Sequence, residues 1–95
     1  MSLEKLVSKY IGSTEHVLEN METVDGSIDI DVKMIRETLE QVKAYLKDAK
    51  YYRDRKRFGV SLASIAYCEG LLDALRMLGA VKFKWPTRMK EKTER

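Results

Sequence analysis

The chain is short of nearly everything that punctuates a fold or equips it chemically. One proline and five glycines in 95 residues leave little turn chemistry. The single cysteine, Cys68, excludes an internal disulfide and fits a reducing compartment. The single histidine, His16, has no cysteine or second histidine near it in sequence, so neither a His-based metal site nor a Cys–His nucleophile pair is expected. Asn20 and Gln41 are the only side-chain amides, a bias that resembles proteins from hot environments. The N-terminus lacks the apolar stretch of a signal peptide, and no run approaches membrane-spanning length. We therefore expect a cytoplasmic protein with no membrane partner, with one domain and one modest core.

What is abundant forms helices: Leu, Lys, Glu, Ala and Met. Charge is unevenly spread. Residues 1–49 carry six Lys and Arg against ten Asp and Glu, whereas residues 50–95 carry twelve against five. Such polarity can steer association with an acidic partner or with a second copy packed head to tail.

The first segment, from Ser2 to about Glu22, places Leu3, Val7, Tyr10, Thr14, Val17 and Met21 at spacings of three and four, which predicts an amphipathic helix capped by Ser2. Leu6, Ile11 and Leu18 widen that stripe, while Lys5, Lys9, Glu15 and Glu19 face away. Asp25-Gly26 supplies a turn, Asp29 or Asp31 caps the next helix, and Ile28 and Ile30 are expected to tuck against the bundle. A second, longest helix should run from Val32 to about Lys56 on a seam of Val32, Ile35, Leu39, Val42, Leu46 and Ala49. Its buried face drifts toward Tyr45 and Tyr52, because a straight helix slips against a seven-residue repeat. Phe58-Gly59 is read as the turn, and a third helix as Val60 to Leu78, ended by a left-handed Gly79.

That third helix has the least ordinary pattern. Ile65, Cys68, Leu71, Leu72, Leu75 and Leu78 cover one broad face, and Ala63, Ala66, Gly70 and Ala74 form a second face of small residues. Only Glu69, Asp73 and Arg76 are charged, in one narrow stripe. A helix in a three-helix bundle buries about half its circumference; this one is apolar over more. After Gly79, AVKFKW alternates apolar and basic residues as a short extended segment does, so that Val81, Phe83 and Trp85 could fold back over exposed apolar surface. The expected fold is all-α: an antiparallel three-helix bundle with a long second helix and a short extended segment, residues 1–86 forming the domain and 87–95 a mobile basic tail.

YLKDAKYYRDRKRF followed by SLASIAYCEGLLDALRMLG resembles an archaeal family known as Domain of Unknown Function 357, over about Tyr45 to Gly79. The matching elements are Tyr45, Asp48, Ala49, Tyr51 and Tyr52, then Ala63, Tyr67, Gly70, Leu72, Asp73, Ala74, Leu78 and Gly79. The family pattern carries a Gly-Asp pair in the turn before the third helix; here that turn reads RKRFGVS. The resemblance implies a small helical bundle from the cytosol of an archaeon, and no established activity.

Three chemistries can be set against this background. Glu69 and Asp73, four apart on one helix, form a carboxylate pair to which Asp48 might add a third oxygen for Mg²⁺. Helical metal-dependent phosphohydrolases use more acids, repeated on two helices, so no metal and no cofactor is assigned. Asp73 can instead bond the hydroxyl of Tyr45 or Tyr52 across the bundle, in a structural network with Asp48, Tyr67 and Gly70. Finally, KYYRDRKRFG offers Tyr51, Arg53, Arg55 and Arg57 for contact with nucleic acid, joined by Lys82, Lys84, Arg88, Lys90 and Lys92. The cations point in several directions around a helix end, where they also suit the helix dipole. The function expected is therefore non-catalytic interaction or assembly, as a homodimer through Ala63, Ala66, Gly70 and Ala74, with an RNA-binding accessory role as the alternative.

Overall fold

The computed structural model describes residues 2–86, and the expected basic tail lies outside them. The described chain is all-α: α1 (Leu3–Asn20), α2 (Val32–Asp54) and α3 (Phe58–Met77), with no strand among the described residues. Ser2 caps α1, its Oγ accepting from the Lys5 amide at 3.1 Å. Of the two acids offered as caps for α2, Asp31 is used, accepting from the Met34 amide at 2.9 Å.

α2 and α3 form an antiparallel hairpin. The Ser61 hydroxyl donates to the Ala49 carbonyl at 2.7 Å and the Cys68 thiol donates to the Val42 carbonyl at 3.3 Å, so the α2 partner moves back as α3 advances. The Tyr45 and Tyr67 rings meet between them with centroids 4.5 Å apart. The buried residues among those described are Val42 and Ala49 from α2 with Cys68 and Leu75 from α3. Ile35, Leu39, Tyr45 and Tyr52 on α2 and Ile65, Leu71 and Leu72 on α3 are half-buried around them. The predicted drift of the α2 seam is present: Tyr52 is half-buried while its neighbour Tyr51 is exposed.

The α2–α3 turn differs from the sequence reading. Phe58 and Gly59 already belong to α3, and the reversal is made by Arg55, Lys56 and Arg57. Lys56 adopts φ 61°, the Lys56 amide donates to the Arg53 carbonyl at 2.9 Å, and the Arg57 amide donates to the Tyr52 carbonyl at 2.8 Å. That is a Schellman closure with lysine at the position glycine normally fills. α3 ends in the same way with glycine: Gly79 has φ 81°, its amide donates to the Arg76 carbonyl at 3.0 Å, and the Ala80 amide donates to the Leu75 carbonyl at 2.8 Å.

α1 stands apart from this hairpin. None of its Cα atoms comes within 8 Å of α2 or α3, and none of its residues is buried. Its apolar stripe is open, with Leu3 77% exposed and Val7, Tyr10, Ile11, Val17 and Leu18 all exposed. Ile28 and Ile30 in the connecting segment are exposed rather than tucked in, because no third helix is there to tuck against. The whole-chain dimensions agree. The Cα radius of gyration is 16.3 Å, against about 12 Å for a compact domain of this length. The accessible surface is 8686 Å², against about 5,600 Å² for a folded monomer of 11.0 kDa.

Candidate interaction site

Two apolar sides of α3 follow from its sequence, and α2 covers one of them. Cys68 and Leu75 at the covered side are 2% and 7% exposed. On the opposite side Ala63, Ala66, Gly70 and Ala74 are all exposed, together with Leu62 at 68% and Met77 at 81%. Tyr67 lies at the border, its ring against Tyr45 and half its surface open. A Cβ added at Gly70 would meet nothing within 4 Å, which confirms that no other part of the described chain lies over it.

The extended segment after α3 does fold back, but elsewhere. Val81, Phe83 and Trp85 are half-buried while Lys82 and Lys84 are exposed, the alternation expected of an extended strip. The Trp85 indole N–H donates to Asp73 Oδ1 at 2.8 Å, Arg76 pairs with the same oxygen at 3.4 Å, and the Arg76 guanidinium lies 5.4 Å from the Phe83 ring centroid. The strip therefore covers the charged stripe of α3 and leaves the small-residue side open. The partner the structure gives Asp73 is Trp85 of the C-terminal segment, where the sequence reading offered Tyr45 or Tyr52 across the bundle. Those tyrosines are engaged with Tyr67 and with Tyr51 respectively. The network thus ties the C-terminal segment to α3.

Among the described residues, no three His, Cys, Asp or Glu side chains come together in a way that could hold a metal ion. Asp48 is exposed on α2 while Glu69 and Asp73 are half-buried on α3, so the three acids do not form a chelating set. His16 sits on α1, its ring within 3.4 Å of the Asn20 amide nitrogen. Burial pushes the Cys68 thiol up from its ordinary value of 9.0, against the lowering effect of its own backbone amide, and the Glu69 and Asp48 charges add to the rise. A buried thiol with a raised pKa is a packing residue, not a nucleophile.

The basic stretch is brought together at one end of the hairpin. Arg53, Arg55, Lys56 and Arg57 are all exposed around the α2–α3 turn. The tyrosines there are already engaged: Arg55 lies 4.2 Å over the Tyr51 ring, Arg57 lies 5.4 Å over Tyr52, and the two rings meet edge to face at 5.2 Å. Arg53 pairs with Asp54 at 3.1 Å. A base stacking on the ring face of Tyr51 that Arg55 covers would have to displace it.

α3 also qualifies what the sequence suggested about membranes. Its 20 residues, with mean hydropathy 1.3 over the most apolar window, are long and apolar enough to cross a bilayer by length and composition. Only 11% of that window is buried within the chain. The expectation that no run approaches this length is corrected: Glu69 and Asp73 interrupt the stretch, which disguises its overall apolar character.

The comparisons with known proteins can be set on this geometry. The family model described as "Protein of unknown function (DUF357)" matches residues 9–81, three quarters of the chain. The chain belongs to this family. The match starts within α1 and ends at Val81, so it extends beyond the Tyr45 to Gly79 stretch in which the sequence showed the likeness. No curated protein and no solved structure matches.

Proposed function

We propose that this DUF357 protein is a non-catalytic interaction module that self-associates through the open side of α3. The observation that carries the reading is the contrast across that helix. Ala63, Ala66, Gly70, Ala74 and Met77 form an uncharged, water-facing side about as long as the buried one. Large contiguous apolar patches on small proteins are more often interfaces than bare surface. Alanine and glycine on that side let a second helix backbone approach closely. The chain's excess accessible area is enough to supply a standard interface, which takes about 800 Å² from each partner. Symmetric dimers are the commonest outcome for such a surface.

Sedimentation equilibrium across micromolar concentrations tests the reading. A dimer that dissociates on dilution supports it, and a strict monomer to 100 μM or so overturns it. The basic turn is the rival surface, with Arg53, Arg55, Lys56 and Arg57 concentrated at one end. Filter binding to single-stranded RNA at two salt concentrations measures it. Affinity that falls steeply with salt and disappears in an Arg53→Ala, Arg55→Ala, Arg57→Ala variant would favour RNA binding.

A further inference from the structure

Resting on that reading, we infer that the element seated on the open side of α3 is α1 of a second copy, so that two chains exchange their first helices. The chain holds two unpartnered apolar faces of similar length. α1 has 18 residues and α3 has 20, or about 27 and 30 Å at 1.5 Å per residue. Leu3, Val7, Tyr10, Ile11, Val17 and Leu18 are bulky where the open side of α3 has alanine and glycine, so knobs on one face meet shallow positions on the other.

Charge sets the direction. α1 ends on Glu15 and Glu19 with Glu22 just beyond, and has no basic residue in its last turn to offset the negative end of its dipole. Antiparallel seating on α3 brings that acidic end beside Arg53, Arg55, Lys56 and Arg57, all exposed at the turn that leads into α3. Parallel seating aligns the two dipoles and sets Glu15 and Glu19 beside Glu69 and Asp73, with Lys82 and Lys84 as the cations within reach.

The linker then decides between one chain and two. Antiparallel seating on its own α3 would leave the end of α1 about 34 Å along the bundle from the start of α2, whose 23 residues set that length. It would also lie two helix spacings, about 18 Å, to the side. The combined distance of about 38 Å is close to the roughly 40 Å limit for the steps from Asn20 to Val32. Gly26, at φ 86°, bends that linker in its middle and shortens the reach below that limit. A second copy has no such restriction, and each dimer gains the contact twice.

The test uses the full chain with two substitutions at positions exposed in the single subunit, Ile11→Asp in α1 and Ala66→Asp in α3, with helix content followed by circular dichroism. In an exchanged dimer each variant alone weakens association at least tenfold. Mixing the two in equal amounts restores a heterodimer by native mass spectrometry, because one of its two α1–α3 contacts is built entirely from unaltered faces. Association of the wild-type chain should also weaken as salt is raised from 50 to 500 mM. If Ile11→Asp dimerises like the wild type while Ala66→Asp does not, α3 pairs with α3: self-association stands and the exchange is overturned. If the wild type is monomeric and both variants only lower its melting temperature, α1 docks on its own chain and both readings fall. Two monomeric variants that form no heterodimer when mixed overturn the exchange as well.

Discussion

The two sides of α3 make the most instructive comparison in the molecule, because both are apolar and only one is closed. The side facing α2 holds Cys68 and Leu75 out of water and adds two hydrogen bonds from α3 side chains to α2 carbonyls. The far side has residues as apolar and no other described segment over them. A hydrophobic pattern therefore specifies that a face must be buried without naming the surface that buries it. Here the helix that ought to fill the role, α1, has the right amphipathic pattern and lies away from its own hairpin.

The comparison breaks most readily on its closed side. Leu75→Ala should destabilise the hairpin by about 3 kcal/mol, the usual cost of a buried leucine with its cavity, lowering the urea midpoint without changing the protein's associating surface. The same side should respond to alkali. The folded state holds the Cys68 proton more tightly than the unfolded chain does, so stability is full below pH 9 and declines as pH rises toward the raised pKa. Urea titrations at pH 8 and pH 10 measure this, with Cys68→Ala removing the difference.

At the edge between the two sides, Trp85→Ala should cost about 2 kcal/mol, through the lost indole contact and the hydrogen bond to Asp73. Trp85→Phe should lose only the hydrogen-bond part, about 1 kcal/mol. Equal losses for the two variants would show that the strip is held by Asp73 alone.

How much of this was legible in the sequence depends on whether local or distant partners decide the outcome. The caps Ser2 and Asp31, the inward drift from Leu46 toward Tyr52, and the left-handed Gly79 all follow from residues a few positions apart, and all are present. The turn at Lys56 was missed because Phe58-Gly59 carries the stronger turn signal, while no local rule favours a lysine at positive φ. The bond from Trp85 to Asp73 was missed because the partner comes from the extended segment beyond the helix, 12 residues away. Standing α1 apart from the hairpin was not legible at all: periodicity records an amphipathic face, not which surface meets it.

Lys56 gives the next perturbation, opposite in sign. A left-handed lysine is strained by about 1–2 kcal/mol, part of which glycine loses again through its freer unfolded chain. Lys56→Gly should therefore raise stability by about 1 kcal/mol in urea titration. Because it removes one cation from the turn, it should also weaken association slightly if α1 of a second copy lies there.

Glycine itself supplies the smallest and sharpest test. Gly12 in α1 and Gly70 in α3 both sit within helices, and a Cβ at either position meets nothing within 4 Å in the single chain. Helix propensity alone then predicts that Gly12→Ala and Gly70→Ala each stabilise their helix by at most about 1 kcal/mol. The two should part company only when concentration is varied. Gly12 lies off the apolar stripe of α1, so its substitution should leave the dimer dissociation constant alone. Gly70 lies at the centre of the open side, where an added methyl group holds an approaching helix off, so Gly70→Ala should raise that constant several-fold while the monomer gains stability. Equal behaviour of the two variants at every concentration would mean that no backbone comes close to Gly70, and that the open side of α3 meets only water.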